Sequence, residues 1–486
     1  MTRVISIFER IGAGGGGKVK AVYHRMNALA ETPDMEPILL SLDHGAARKI
    51  TFAALQAKGV IAPRVRFLTL PEALHDQAVQ AGIKPFDGFP RHDTVERRGG
   101  RTDYLAQGDV VMTDRSQRSA LGRLTRRQVS HREGPILYTL IDGLAHQKVQ
   151  KKADGVTETT DYVRGLPIRW VRMQKRNFLL GRNLITGKTY HMARAHGCGF
   201  FEMLSWQDSV VFFDGVTSAY LSPVTRAPRA LFLHADHRSP KGEVVPRSRF
   251  LIENFRGEAI VTSTQVHKTR MQADLRPAAP VHVVPHFCES GIPAAGERRN
   301  LVTVSRLELG GKPIHECIEA FAAIMAEFPG VDYLIYGVGA GQKRLEAQIA
   351  ALGCGERVRL MGYTTQPLAV FRGAIAAVYP TLTEGFGLSI LEALANGCPV
   401  ISYDVDYGPR EMIRPGITGE LEPPGDIAAI AGAMRRVLSD APRYQAATGR
   451  GLERYSRAAY VGNYAALVRD LAALPLSPSP RAAQGE

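Results

Sequence analysis

The sequence predicts an α/β protein with two Rossmann-like domains facing a cleft, the first of which carries an antiparallel β-rich insertion. Strand-like apolar segments alternate with helical segments at both ends of the chain, a pattern that is typical of doubly wound parallel sheets. Between about residues 104 and 213 the pattern changes to short alternating runs separated by turn residues, which favours antiparallel strands. With 486 residues, the chain is longer than one core usually supports.

The predicted domain boundary lies in the small, polar segment GIPAAGERR (residues 291–299). Residues 1–295 form the predicted N-terminal domain and residues 296–455 the C-terminal domain. A helix over 456–474 is expected to cross back to the first domain, and residues 475–486 are expected to be disordered.

The first domain begins with a predicted strand at residues 3–11, followed by the glycine-rich segment Gly12–Lys18 and a helix. This order opens a doubly wound domain. The segment nearly fits a nucleotide-binding P-loop, but Val19 stands where a hydroxyl would hold magnesium. A loop that approaches a ligand in the cleft fits better, and a simple tight turn is the remaining alternative.

Apolar runs bounded by turn residues predict the other strands of the parallel sheets. In the first domain they are expected at residues 36–42, 64–70, 209–215 and 229–237. In the second domain they are expected at residues 300–305, 332–336, 357–361, 375–380, 399–403 and 419–422.

The segment Pro380–Pro409 carries the main candidate site. Glu384 is followed by the turn Gly385–Gly387 and by a helix that is expected to begin near Leu388. A glycine turn at a helix N-terminus exposes backbone N–H groups and the positive end of the helix dipole, which suits a phosphate. An ordinary strand–helix unit is the alternative.

Two further side chains belong to this predicted helix, which is expected to end at Gly397. Ser389 can offer a hydroxyl, and Glu392 follows three residues later on the same face. Helical side chains lean towards the N-terminus, so Glu392 can reach the same ligand as Glu384. In the alternative interpretation, both glutamates are simply solvated.

Basic side chains and histidines follow other predicted strands. Arg306 and Lys312 can converge on a diphosphate at the carboxyl edge of the sheet, although a solvated loop is an open alternative. His234 and His237 have a spacing that suits a metal, but no third ligand stands out, so a substrate contact and a structural role stay open. GVGAG at residues 337–341 is weak evidence for a dinucleotide.

Composition limits the classes of function. The net charge of +14 is compatible with anionic partners, although it also fits a generally arginine-rich protein. The five scattered cysteines indicate a reducing cytoplasmic location, and no apolar run reaches the length of a membrane span. The N-terminus is not a convincing signal peptide.

The segment EGFGLSILEALANGCPVI resembles glycosyltransferase family 4, a family of retaining, nucleotide-sugar-dependent enzymes with the GT-B fold. Glu384 and Glu392, with seven residues between them, match the paired glutamates of that family. The β-rich insertion and YDVDYGPREMI (403–413) narrow the resemblance to a branch that contains poly(glycerol-phosphate) α-glucosyltransferases and adhesin-modifying glycosyltransferases.

The resemblance implies roles for the candidate residues. Glu384 would contact the donor sugar, and His234 would lie beside the sugar or the acceptor, so both are the predicted catalytic residues. The predicted donor-binding residues are Arg306, Lys312, Gly385, Phe386, Gly387, Leu388, Ser389, Glu392, Gly15, Gly16 and Gly17. Lys312 follows Arg306 one residue later than is usual in the family, and the LHADH segment also departs from its relatives.

The implied reaction moves a glucose- or N-acetylglucosamine-type hexose from a nucleotide sugar, expected to be UDP-linked, to a hydroxyl acceptor. The acceptor is expected to be a polyanionic surface polymer or a protein, with neither a metal nor a cofactor nor nucleic acid involved. Peripheral attachment to the inner face of the plasma membrane stays open. The alternatives are a nucleotide-sugar epimerase, a sugar phosphorylase, a P-loop ATPase and a non-catalytic glycan-binding subunit.

Overall fold

The chain divides into two compact units, which are Met1–Arg229 with Val468–Glu486, and Ala230–Leu467. The computed structural model describes residues 1–7, 17–42, 46–84, 94–98, 101–106, 109–118, 124–131, 134–141, 144–152, 154–164, 166–175, 177–215, 219–239, 241–291 and 298–477. The predicted linker and the predicted disordered tail therefore lie mostly outside the described residues. Within the described part of the chain, no helix is both long and apolar enough to cross a membrane.

Parallel strands form the α/β part of the first unit. They are β1 (Thr2–Ile7), β2 (Met35–Ser41), β3 (Arg66–Thr69) and, later in the chain, β14 (Ser209–Phe213). Their order is β14-β1-β2-β3. Every residue of β14 is buried, as expected for a strand that is covered on both faces. These positions confirm the predicted parallel strands, except that residues 8–11 of the first prediction lie outside the described part of the chain.

Within the described residues of the first unit, four helices follow the strands β1 to β3 and a fifth precedes β14. They are α1 (Gly17–Ala30), α2 (Ala46–Ala57), α3 (Leu70–Ala73), α4 (His75–Gln80) and α5 (Ala193–Phe201). A buried ion pair anchors α1 to the sheet, because Arg25 donates to Asp214 Oδ1 over 3.0 Å. The first strand and first helix of a doubly wound domain are thus present as predicted.

An antiparallel sheet of ten strands occupies the middle of the first unit. The strands are β4 (Thr94–Arg98), β5 (Arg101–Ala106), β6 (Asp109–Arg118), β7 (Leu124–His131), β8 (Gly134–Ile141), β9 (Leu144–Lys151), β10 (Val156–Val163), β11 (Leu166–Gln174), β12 (Asn177–Asn183) and β13 (Thr189–Tyr190). The sheet thus begins earlier than residue 104, because the charged β4 sequence TVERR hides its strand character. The sheet ends with β13, earlier than the predicted residue 213, because α5 and the parallel strand β14 occupy the residues that follow.

The strands of the second unit are also parallel, and they fall into two groups. Three are β15 (Arg229–Phe232), β16 (Ala259–Thr262) and β17 (Val281–Val283). Six more are β18 (Leu301–Val304), β19 (Tyr333–Tyr336), β20 (Val358–Gly362), β21 (Ala376–Tyr379), β22 (Val400–Tyr403) and β23 (Gly419–Glu422). Their order, β20-β19-β18-β21-β22-β23, is that of a doubly wound sheet.

The six strands of the second sheet confirm the predicted positions, but β15 is shorter than predicted. It ends at Phe232, so His234 and His237 lie in the loop that follows it. The Asp236 carboxylate accepts from the backbone N–H of Arg238 over 2.8 Å. Such local side-chain bonds take the place of strand pairing in this part of the loop.

Helices cover both faces of the six-stranded sheet. The described helices that begin in the second unit are α6 (Pro246–Asn254), α7 (Gln265–Asp274), α8 (Ile314–Ala322), α9 (Gln342–Ala351), α10 (Pro367–Gly373), α11 (Leu388–Ala395), α12 (Pro409–Met412), α13 (Ile427–Ser439), α14 (Ala441–Ala447) and α15 (Arg457–Ala472). Leu301 packs in one buried cluster and its neighbour Val302 in another, so the two clusters lie on opposite faces. The carboxyl edge of the sheet is therefore where a ligand can bind.

Candidate active site

A charged cluster lies at the carboxyl end of β21. The Lys312 ammonium group donates to a Glu384 carboxylate oxygen, to Thr381 Oγ1 at 2.8 Å and to the Tyr379 hydroxyl at 3.2 Å. The Tyr379 hydroxyl in turn donates to the same Glu384 oxygen over 2.9 Å. Only 12% of the Lys312 side chain and 14% of the Glu384 side chain are exposed. The two charges therefore form a largely buried, hydrogen-bonded pair.

A tight turn after β18 carries Lys312 into this cluster. The Glu308 carbonyl accepts from the backbone N–H groups of Gly311, at 3.2 Å, and of Lys312, at 2.9 Å. The Gly311 carbonyl accepts from Leu382 N at 3.0 Å, which ties this turn to the loop after β21. The turn thus brings the Lys312 ammonium group to Glu384.

Arg306 is placed differently from Lys312. Its side chain is 68% exposed and pairs with the exposed Glu308 carboxylate at 3.0 Å. An exposed pair of this kind contributes little to stability, so the guanidinium is available to turn towards an anionic ligand. The structure thus joins Lys312, but not Arg306, directly to Glu384.

The buried environment keeps Tyr379 protonated. Burial, and then the negative charge of Glu384, raise the pKa of the Tyr379 hydroxyl well above its ordinary value. The hydroxyl is therefore a permanent donor to Glu384 at physiological pH. It fixes the orientation of the carboxylate, which leaves the second carboxylate oxygen for another partner.

The glycines of the 337–341 segment serve close backbone packing. A Cβ atom on Gly337 would lie 1.8 Å from the Ser305 carbonyl oxygen, and one on Gly339 would lie 2.6 Å from that of Leu307. Gly341 N also donates to the Leu307 carbonyl over 2.8 Å. These glycines are thus explained by their contact with the loop that carries Arg306, and the dinucleotide interpretation is not needed.

Gly385 lies directly against the loop that contains His234. A Cβ atom at Gly385 would lie 2.3 Å from the His234 carbonyl oxygen and 3.1 Å from Ala235 Cα. Ser263 Oγ donates to the Gly385 carbonyl over 3.2 Å. The turn that follows Glu384 therefore packs against the loops that follow β15 and β16, and its close backbone contact with the first of these loops requires glycine.

The rest of the glycine turn combines a helix start with a buried anchor. Gly387 precedes α11 in a left-handed conformation, with φ at +85°. The Phe386 side chain is buried and lies edge-on to His286, with ring centroids 4.9 Å apart. Gly408 packs so closely that its Cβ atom would lie 1.9 Å from the Phe386 carbonyl oxygen. A ligand can thus meet only the backbone of Phe386.

Helix α11 begins at Leu388, as predicted, and ends at Ala395. Ser389 lies in its first turn and is half-buried. Glu392 is only 6% exposed. The alternative that Glu384 and Glu392 are ordinary solvated glutamates is therefore wrong.

The two histidines after β15 occupy different environments. His234 is half-buried beside the Gly385 turn, and the centroid of its ring lies 4.4 Å from the centroid of the Phe232 ring. His237 is 1% exposed, and its Nε2 atom lies 2.8 Å from an Asp274 carboxylate oxygen. His234, rather than His237, is therefore the histidine next to the glycine turn.

The surroundings of His237 include groups with shifted pKa values. Hydrogen bonds from Arg238 hold the pKa of Asp274 at about 2. Burial lowers the pKa of His267 to about 3, so its imidazole is neutral. Sequence reasoning missed His267, because it lies about thirty residues beyond His237 on α7 and has no motif of its own.

Sequence reasoning also missed Tyr379 and Thr381. Their position was informative, because both lie at the carboxyl end of a predicted parallel strand.

Gly15 and Gly16 lie outside the described residues, and Gly17 begins α1 in the first unit. That the glycine loop closes over a diphosphate stays a prediction.

Comparisons with known proteins match this part of the chain. Residues 290–454 match the family model of glycosyl transferases group 1. Over 172 residues the chain is 33% identical to poly(glycerol-phosphate) alpha-glucosyltransferase of Bacillus subtilis (strain 168), a match that covers 35% of this chain and 25% of that protein. The chain thus matches about a quarter of the length of this relative. Lys312, Glu384 and α11 all lie in the segment that matches the family model.

Solved structures match almost the whole chain. A mutant of S. aureus TarM, in complex with Fondaparinux, alpha-GlcNAc-glycerol and UDP, has a TM-score of 0.75 at 17% identity, covering 96% of this chain and 100% of that one. The pneumococcal O-GlcNAc transferase GtfA, in complex with UDP and GlcNAc, also has a TM-score of 0.75 at 17% identity, with 97% and 99% covered. Likeness at this level of identity shows the fold. The chain has the GT-B fold, with two Rossmann-like parallel α/β regions and an antiparallel sheet.

Proposed function

We propose that this chain is a retaining glycosyltransferase of the family 4 type, which moves a hexose from a nucleotide-diphosphate sugar to a hydroxyl acceptor. The observation that carries the proposal is the buried Lys312–Glu384 pair at the carboxyl end of β21. It lies within the segment that matches glycosyl transferases group 1. A buried charged pair with shared hydroxyl donors at a sheet edge is suited to ligand recognition.

The diphosphate of the donor would bind beside this pair. Exposed Arg306 supplies a guanidinium that can form two hydrogen bonds with phosphate oxygens. The N-terminus of α11, which follows the left-handed Gly387, supplies backbone N–H groups and a positive dipole end. Lys312 adds a second positive charge, which its bond to Glu384 holds in place.

Other groups suit the remaining parts of a nucleotide sugar. Glu384 has one oxygen engaged by Lys312 and Tyr379, so we assign the other to a hydroxyl of the sugar. Glu392 would accept from the ribose hydroxyls. Val338 and Tyr363, which are exposed beyond β19 and β20, offer apolar surface to the base, which we propose is uracil.

The chemistry needs stabilisation of a departing diphosphate. As the bond between sugar and phosphate breaks, negative charge grows on the leaving oxygen, and Arg306, Lys312 and the α11 dipole would stabilise it. We propose that these groups act without a metal or a cofactor. The acceptor hydroxyl would attack on the same face, while the departing phosphate takes its proton, and His234 would lie beside the reacting groups.

The acceptor is proposed from the relatives and from charge. One relative is named for poly(glycerol-phosphate), and a neighbouring structure contains an O-GlcNAc transferase. A net charge of +14 suits a polyanionic acceptor polymer, and it also suits the anionic inner face of a cytoplasmic membrane. We therefore propose a cell-surface polymer or protein as the acceptor, modified on the cytoplasmic side.

The test is a panel of UDP-, GDP-, ADP- and dTDP-sugars, scored for release of the nucleotide diphosphate. We expect release from a UDP-hexose by the wild type and a loss of at least about 100-fold in Glu384→Gln, which removes charge stabilisation at the sugar. Glu327→Gln is the matched control, because Glu327 forms an exposed pair with Arg435. Epimerised donor, phosphorolysis without nucleotide, or equal release by Glu384→Gln would contradict the proposal.

A further inference from the structure

A compact group of ligand-type side chains lies beside the candidate active site. Asp236 and His237 belong to the loop after β15, and His267 belongs to the first turn of α7. One ligand atom from each lies within 4.8 Å of the other two. The mechanism proposed above uses none of these side chains.

The hydrogen bonding of His237 prepares one of its nitrogens as a ligand. Its Nε2 atom lies 2.8 Å from an Asp274 carboxylate oxygen, which can only accept, so Nε2 carries the proton. Arg238 also binds Asp274 and fixes that carboxylate. In the neutral ring, Nδ1 therefore presents a lone pair, and it lies 3.4 Å from an Asp236 oxygen. A carboxylate behind a ligating histidine is the usual arrangement at metal centres.

His267 is the strongest sign that the group binds something. It is fully buried, and neither of its ring nitrogens has a hydrogen-bond partner within the described residues. Its ring is parallel to that of His237, within 6°, at a centroid distance of 5.4 Å. A buried polar group without a partner destabilises the fold, so an imidazole is a poor choice here unless a ligand compensates.

The position of His267 is fixed by the backbone. Thr264 caps α7, and its side chain accepts from the backbone N–H of His267 over 3.1 Å. Tyr407 covers the other side of the imidazole, with ring centroids 4.5 Å apart. Tyr407 is itself held at a φ of +61°, an uncommon conformation for a residue other than glycine. Three separate segments thus converge on this point.

The dimensions fit a small divalent ion. In a tetrahedral zinc site with bonds of about 2.1 Å, ligand atoms are separated by about 3.4 Å. The distance between His237 Nδ1 and an Asp236 carboxylate oxygen has this value. The longest distance between ligand atoms of the group is at most 4.8 Å, and a side-chain rotation can shorten it to the same value. Two imidazoles and one carboxylate are a ligand set that zinc accepts, with the fourth position open to water.

We propose that Asp236, His237 and His267 bind a zinc-class divalent ion that ties the loop after β15 to α7. This loop also contains His234, whose backbone packs against Gly385. The ion would therefore have a structural role, because it would fix the loop whose backbone packs against the turn after Glu384. It is separate from the donor-binding groups and from the question of whether the reaction itself uses a metal.

The test measures metal binding and does not depend on activity. The full-length chain, without an affinity tag, is stripped with a chelator and titrated with Co²⁺, followed by visible absorption, and then with Zn²⁺ as competitor. We expect one Co²⁺ per chain with the strong absorption of a four-coordinate site, displaced by one Zn²⁺. Excess Zn²⁺ should raise the unfolding midpoint by about 5 °C.

Two variants separate this site from binding to other histidines. His267→Gln should lose the bound Co²⁺ and the thermal shift. His315→Gln, which changes a partly buried histidine on α8, should retain both. Substoichiometric Co²⁺ in the wild type, or equal binding by wild type and His267→Gln, would overturn the proposal. If His267→Gln does not fold, the proposal is tested by the number of Co²⁺ ions bound per wild-type chain and by Asp236→Asn, which should lose the bound Co²⁺.

Discussion

Replacing Gly385 with alanine tests whether the Glu384 turn depends on its contact with the His234 loop. The new Cβ atom would lie 2.3 Å from the His234 carbonyl oxygen, whereas ordinary contacts begin at 3.4 Å. The two backbones must therefore separate by about 1 Å, since neither is a side chain that can rotate away. Overpacking of this kind costs about 1–3 kcal/mol, and a shift of about 1 Å in a catalytic group can reduce turnover by about 100-fold.

The matched control is Gly373→Ala, because a Cβ atom at Gly373 meets nothing within 4 Å. Urea unfolding and donor turnover would be measured for both variants and for the wild type. We expect Gly385→Ala to lose both stability and turnover, while Gly373→Ala stays within about 0.5 kcal/mol of the wild type. If the two variants behave alike, the contact does not position the turn.

Three further changes probe other parts of the site. Lys312→Met should lower the free energy of unfolding by about 3 kcal/mol in urea titration, because it leaves the Glu384 charge without its cation; a change below about 0.5 kcal/mol would contradict a buried pair. Phe386→Ala should cost about 3–5 kcal/mol through a core cavity, and an unchanged unfolding midpoint would show that the ring is not an anchor. Asp274 has a folded-state pKa near 2, below its unfolded value, so its contribution to stability is present above about pH 4 and is lost as the pH falls towards 2. The unfolding free energy of the wild type should therefore fall more steeply over this range than that of Asp274→Asn, and parallel curves would refute the linkage.

The strands of the second unit could be predicted closely from the sequence. The clearest are β21 and β22, which are short, mostly apolar runs with every residue buried, as expected for central strands covered on both faces. The start of α11 was equally clear, since a glycine turn precedes an apolar helix. The strand β4 was missed because charged residues fill it, and the pairing of its neighbours, rather than its own sequence, makes it a strand.

The site could be predicted only in part, since its residues come from separate segments. The glutamate pattern indicates Glu384, but the sequence does not show that Lys312 turns back to pair with it. The glycines at 337–341 illustrate the reverse problem, because glycine suits both a ligand loop and close backbone packing. His267 became visible only once α7 was placed beside the loop after β15.

Calorimetric titration of UDP tests most directly whether this edge of the sheet binds a nucleotide sugar. Arg306→Ala removes an exposed guanidinium from the proposed diphosphate site, and Arg435→Ala removes another exposed arginine that pairs with Glu327. A lost hydrogen bond to a charged group is worth about 1.5–3 kcal/mol, so we expect Arg306→Ala to weaken UDP binding by about 10- to 100-fold. Arg435→Ala should bind UDP like the wild type. Equal affinity of Arg306→Ala and the wild type, or no UDP binding by the wild type, would contradict the account.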